Sequence, residues 1–213
     1  NSEIWHLISA IGISESNVCS IKMECPLGHS ATSHQPSAIS PWPSTSSETG
    51  VELALEPGRV LGLVGPAGSG LTSLGISLVA AATTAEPIAV LDGRGWFCPS
   101  VAWEAGITPQ RLFVIRCADR EIWPKVAATL LEGFAAVYAE VPPNIPDQVL
   151  RRLGALARSR RAGVVLRAMQ GDLPTGLIHL RLDGVGVQWE GAVGGHGRLR
   201  RRSVTIKASG KGA

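Results

Sequence analysis

Long hydrophobic runs are missing from this 213-residue chain, although 45% of it is hydrophobic and its mean hydropathy is +0.17. No stretch reaches the roughly 18–20 uninterrupted apolar residues of a membrane span, so no membrane partner is expected. The first residues show no basic region followed by an apolar run and a small-residue cleavage site, so no secretory signal is expected and the expected location is cytoplasmic. Cysteine is scarce, with only Cys19, Cys25, Cys98 and Cys117, and in that setting all four are expected to stay reduced. The spacing of Cys19, Cys25, His29 and His34 fits no short zinc-binding pattern, so no metal site is expected there.

Acidic residues are absent from two stretches. Residues 151–170 carry Arg151, Arg152, Arg158, Arg160, Arg161 and Arg167, and residues 196–213 carry Arg198, Arg200, Arg201, Arg202, Lys207 and Lys211. These 38 positions hold 12 of the 20 Lys and Arg, which leaves 8 against all 17 acids elsewhere; the net charge of +3 conceals a basic C-terminal third. Such a surface suits nucleic-acid phosphates or an acidic partner, with Arg151, Arg158, Arg198, Arg200, Arg201, Arg202 and Lys207 as candidate contacts. The competing reading is an edge strand whose charges block aggregation. The tryptophans Trp96, Trp103, Trp123 and Trp189 are spaced like core residues, and most are expected to pack rather than stack on bases.

A lysine is the third absence. Gly65-Pro66-Ala67-Gly68-Ser69-Gly70-Leu71-Thr72 follows the apolar run Val60-Leu61-Gly62-Leu63-Val64 and matches G-x-x-x-x-G-K-[ST] except at Leu71. In a working loop the backbone N–H groups and the helix N-terminus hold phosphate oxygens while the lysine neutralises their charge. Gly65, Gly68, Gly70 and Thr72 retain the loop; Leu71 cannot supply the charge and is free to face the core. Asp92, at the end of the apolar run 88–91, and Glu140, after the run 135–139, lie where ligands of open α/β sheets gather. Asp92 in its Asp-Gly pair reads best as a solvated turn aspartate. Glu140 resembles the acid that holds magnesium in phosphate-loop NTPases, or else caps the next loop.

The first 50 residues show no sustained period, and 30–50 is a Ser/Thr/Pro/Gly tract that reads as a poorly ordered linker. A short helix near residues 4–8, or an arm that docks on a partner, precedes it. From residue 51 to 213 short β-rich runs at 60–64, 88–91, 112–115, 135–139 and 164–166 alternate with helical segments at 71–82, 100–105, 123–131 and 147–160. That alternation predicts an α/β, doubly wound core with a mainly parallel sheet. Runs at 177–182, 186–190 and 203–207, separated by glycine-rich turns, predict antiparallel additions at its C-terminal end. On helix 147–160, Arg151 and Arg158 fall away from the apolar face and are expected to meet solvent.

The loop, the strand end Val90-Leu91-Asp92-Gly93 and Ala105-Gly106-Ile107-Thr108-Pro109-Gln110-Arg111-Leu112 together resemble the core of RecA. With Leu180-Arg181-Leu182, Trp189-Glu190-Gly191 and Gly195-His196-Gly197-Arg198-Leu199-Arg200-Arg201-Arg202-Ser203-Val204-Thr205, the chain is similar to the RecA-like ImuA group of bacterial mutagenesis accessory proteins over residues 51–213. The resemblance implies a RecA-like phosphate-loop core and an accessory role in damage-induced translesion synthesis. Its implied partners are an ImuB-like Y-family polymerase homologue, an error-prone replicative-type polymerase, and DNA. RecA-type hydrolysis would need the loop lysine and a glutamate two residues after the strand-end aspartate; this chain has Leu71 and Arg94. A non-catalytic protein without ATP or magnesium as cofactor is therefore the leading expectation, and a weak ATPase or nucleotide-gated switch using residues 65–72, Asp92 and Glu140 is the alternative.

Overall fold

A computed structural model describes residues 53–193 and 196–210 together with the strand Val18–Cys19. The expected linker at 30–50, the segment 4–8 and the set Cys25, His29 and His34 lie outside the described residues. The strands are β1 (Val18–Cys19), β2 (Val60–Val64), β3 (Ile88–Asp92), β4 (Leu112–Arg116), β5 (Ala136–Val141), β6 (Gly163–Ala168), β7 (Leu180–Val193) and β8 (His196–Gly210). The α-helices are α1 (Leu71–Ala82), α2 (Ser100–Glu104), α3 (Trp123–Gly133) and α4 (Asp147–Arg160).

These strands form one sheet in the order β1-β8-β7-β2-β6-β5-β3-β4. From β7 to β4 all neighbours are parallel, and β8 and β1 add antiparallel pairings at one edge. A parallel strand covered by helices on both faces is apolar along most of its length, and β3, β5 and β6 are buried throughout, with their charged residues Asp92, Glu140 and Arg167 placed at or next to their carboxyl ends. On one face Leu61, Leu63, Val90, Tyr138 and Val165 pack under α1 and α2; on the other Val60, Leu91, Val137, Ala139 and Leu166 pack under α3 and α4.

Local sequence explains the helix bounds. The αL residue Gly70 precedes α1, while Pro124 lies in the first turn of α3, where its missing N–H costs nothing. Asp147 in the first turn of α4 and Arg158 and Arg160 in its last complement the helix dipole, and Arg161 ends it at φ 57°. Helix α1 sits close to the sheet because residue 75 is glycine: a Cβ there would lie 2.7 Å from Tyr138 Cε2 and 2.8 Å from Leu63 Cδ1.

The two runs expected as separate strands at 177–182 and 186–190 are largely one strand. The glycines between them mark a register shift against β8 between Gly184 and Gly186 rather than a turn. Strand β7 runs beside β2 only from Leu180 to Asp183, which pairs with Val64 at the end of β2. Beyond that point β7 pairs with β8 alone, so a two-stranded ribbon continues past the carboxyl end of the parallel sheet.

Candidate functional site

The carboxyl ends of β2, β3, β5 and β6 bring the loop, Asp92, Glu140 and Arg167 to one edge of the sheet. The loop crosses from β2 into α1 with positive φ at Gly68 (78°) and Gly70 (76°), a conformation that glycine adopts without steric cost. Leu71 is 1% exposed and turns inward. A Cβ built on Gly65 would lie 3.0 Å from Leu71 Cδ1 and 3.0 Å from the carbonyl oxygen of Gly184. The residue in the lysine position thus packs between loop and β7, as its apolar side chain dictates. Inside the loop, Ser69 Oγ donates to the Pro66 carbonyl at 2.7 Å. Thr72 Oγ1 accepts from the Tyr138 hydroxyl at 3.4 Å, and burial pushes that phenol up to about 12.

Asp92 is not the solvated turn residue expected: it is 1% exposed. Its Oδ1 accepts backbone N–H groups of Arg94 (3.2 Å), Gly95 (2.8 Å) and Trp96 (3.3 Å), and its Oδ2 accepts that of Phe97 (3.0 Å). A carboxylate bonded to successive amides fixes the turn that leaves β3. The guanidinium Nε of Arg116 lies 3.8 Å from Oδ2.

Glu140, 3% exposed, is held by Arg94. Nε of Arg94 donates to Oε1 at 3.1 Å and Oε2 at 3.2 Å, its Nη2 also reaches Oε1, and its backbone N–H donates to Oε2 at 3.3 Å. Hydrogen bonding to Glu140 holds the Arg94 guanidinium above its ordinary value. Arg94 is therefore the counter-charge of Glu140.

Arg167 completes the site, and sequence reasoning placed it only in a basic stretch. It neighbours Glu140 across the β5–β6 ladder and is 5% exposed. Its Nη2 donates to the carbonyl oxygens of Gly65 at 2.9 Å and Pro66 at 3.3 Å. Burial pushes its guanidinium down. The signal that could have singled it out is one arginine in the otherwise apolar strand Gly163-Val164-Val165-Leu166-Arg167-Ala168.

The basic candidates divide between places. Arg151 and Arg158 are exposed on α4, as expected, but α4 covers the face opposite α1, and Arg158 packs beside Gly58 at the amino end of β2. Arg198, Arg200, Arg201 and Arg202 lie in the part of β8 that forms the ribbon, with Arg202 opposite Trp189 and Arg201 opposite Glu190. Lys207 is exposed opposite Asp183, level with the loop.

The tryptophan expectation is overturned. Only Trp123 of the four is core; Trp96 is 78% exposed, and Trp103 and Trp189 are each 50% exposed. Trp96 projects from the turn that Asp92 fixes, with the Arg94 guanidinium 5.7 Å from its ring centroid. Residue spacing could not reveal this, because the ring sits on a turn rather than on a helix or strand face.

Residues 51–174 match the family described as MT3502 N-terminal domain. The chain belongs to that family. The MT3502 N-terminal domain match takes in β2 to β6, and with them the loop, Asp92, Arg94, Glu140 and Arg167, and ends before the β7–β8 ribbon. No curated protein matches the chain. Among the described residues no helix is long and apolar enough to cross a membrane.

Proposed function

We propose that this chain is a non-catalytic RecA-like accessory protein of the DNA-damage response that supports translesion synthesis. Its phosphate-loop core serves as a scaffold, and its basic C-terminal ribbon binds an ImuB-like polymerase homologue and DNA. The observation that carries the non-catalytic part is the Arg94–Glu140 pair. In phosphate-loop enzymes an acid at that place must be available to a metal or to water, and here its oxygens take four hydrogen bonds from Arg94. Leu71 and Asp92 support the same reading, since one is committed to packing and the other to four amides. The binding part rests on Arg198, Arg200, Arg201 and Arg202, which share a ribbon beyond the sheet edge rather than being scattered.

The test is co-purification from damaged cells of the full chain and of a variant with these four arginines replaced by glutamate. The wild type is expected to retain a polymerase homologue and single-stranded DNA, and the variant to lose them while melting at the same temperature. Unchanged recovery of both would sink the proposal. Phosphate release from ATP with magnesium is expected to stay at the level of a Glu140→Gln control; turnover above it would return the protein to the ATPases.

A further inference from the structure

Three residues gather around the buried carboxylate of Asp92, two of them arginines and the third a tryptophan. Oδ1 accepts the backbone N–H of Arg94 at 3.2 Å and that of Trp96 at 3.3 Å, and Arg116 on the neighbouring strand β4 brings its Nε to 3.8 Å from Oδ2. Trp96 is 78% exposed, the most of any large hydrophobic residue among those described. The turn does not need this side chain, because Asp92 fixes it through backbone amides alone.

The ring is nonetheless held in place. Its turn is rigid, so little freedom remains to be lost when a ligand engages it. The Arg94 guanidinium lies over the indole, 5.7 Å from the ring centroid, and is itself clasped by Glu140. A cation thus backs one face of the ring, and the rest of the indole meets water. The charge beside it is positive on the outside: Asp92 and Glu140 are buried, whereas the Arg94 side chain is 25% exposed and that of Arg116 68%. Past β4 the exposed acids Asp119 and Glu121 are matched by Arg120 and Lys125, which are exposed as well. Aromatic anchors of protein interfaces cluster in well-packed pockets, but Trp96 stands out from a turn with guanidiniums beside it. That pairing suits a flat base and its phosphate.

We propose that Trp96 is a stacking platform for an unpaired base of single-stranded nucleic acid, with Arg94 backing the ring and Arg116 meeting the adjoining phosphate. A duplex keeps its base faces inside its own stack, so the platform selects single strands. The site lies at the carboxyl end of the parallel sheet, from which the β7–β8 ribbon also continues. Four strand spacings, about 19 Å, separate β7 from β3, so one strand can engage both. The site rests on the nucleic-acid binding proposed for the ribbon, and the two fail separately in the experiment below.

Fluorescence anisotropy of labelled oligothymidylate, and of an abasic strand of equal length, tests it with the full chain over a range of salt. Trp96→Ala is expected to bind oligothymidylate roughly tenfold more weakly and the abasic strand unchanged, and Trp96→Phe to recover most of the loss. The salt dependence should be the same in wild type and Trp96→Ala, since a ring displaces no counterion. Arg116→Gln should weaken both strands alike and lower the slope of log affinity against log salt by about 0.7. Because the ring is mostly in water, Trp96→Ala should melt with the wild type. Oligothymidylate binding by Trp96→Ala equal to wild type, equal weakening on the two strands, or a wild type that binds neither would each overturn the proposal. Unchanged strand binding with loss of the co-purified polymerase homologue would assign the ring to a protein partner and overturn it too. Trp96→Ala equal to wild type while the four-glutamate ribbon variant loses the strand removes this site and keeps the ribbon; the opposite pair of results keeps this site and removes the ribbon.

Discussion

The Arg94 guanidinium clasps the Glu140 carboxylate at the end of the neighbouring strand, with Nε 3.1 Å from Oε1 and 3.2 Å from Oε2. Removing one member of such a pair strands the other in a site that water barely reaches. Arg94→Met is expected to destabilise the protein by about 2–4 kcal/mol in urea unfolding, somewhat less than for a fully enclosed pair because the arginine side chain is 25% exposed. The double variant Arg94→Met/Glu140→Gln should recover much of the loss. A double variant as unstable as Arg94→Met would show that the ion pair itself contributes little.

On the proposed reading, a lysine placed at residue 71 is not expected to bring ATP turnover. Leu71→Lys would bring an ammonium into the space between Gly65 and Gly184, costing on the order of 2–4 kcal/mol by the rules for buried charge and lost packing. Urea denaturation should show that loss, and phosphate release from ATP should not rise. Measurable turnover in this variant would mean that Leu71 alone had silenced the site.

The chain contains one tyrosine, so ultraviolet titration reads Tyr138 alone. Its phenolate is expected to appear with a midpoint near 12 in the folded protein and near 10 in urea. A folded value above the unfolded one means that stability is fully present below pH 10 and is lost as pH rises towards 12. The loss amounts to about 2–3 kcal/mol. Equal midpoints in the two states would contradict the burial of this hydroxyl.

Asp92→Ala should release the turn it holds. Four amides lose their acceptor, at a cost of about 2–3 kcal/mol. Faster hydrogen exchange is expected at Arg94, Gly95, Trp96 and Phe97. Unchanged exchange at these four amides would show that the turn stands without its carboxylate.

Gly75→Ala tests the contact of α1 with the sheet. The added methyl meets Tyr138 and Leu63 below 3.0 Å, so the helix must lift, with a loss of about 1–3 kcal/mol and a lower melting temperature.

The alternating core was legible because its strands are continuous apolar runs and its helices keep a 3.6-residue period. The bounds of β2, α1 and α4 follow directly from residues 60–64, 71–82 and 147–160. The loop was legible for the same reason, as a glycine cluster between a run and a period. What the residues alone did not disclose is which charges meet. Arg94 and Glu140 are 46 residues apart, and Arg167 reaches the Gly65 carbonyl across 102; both contacts depend on strand order, which no local pattern encodes. Gly184 misled for a related reason. It looks like a turn residue, and it is glycine because Leu71 and the loop press against a strand that continues.

That contact joins two parts of the molecule usually considered separately. Gly65 and Gly184 allow the loop backbone and the β7 backbone to lie nearly against each other, with Leu71 as the wedge beside them. The loop is thus the bearing on which the ribbon's root rests, and a change in its width is a change in the path of the ribbon's backbone. A side chain at either glycine would tilt the ribbon without touching a single basic residue.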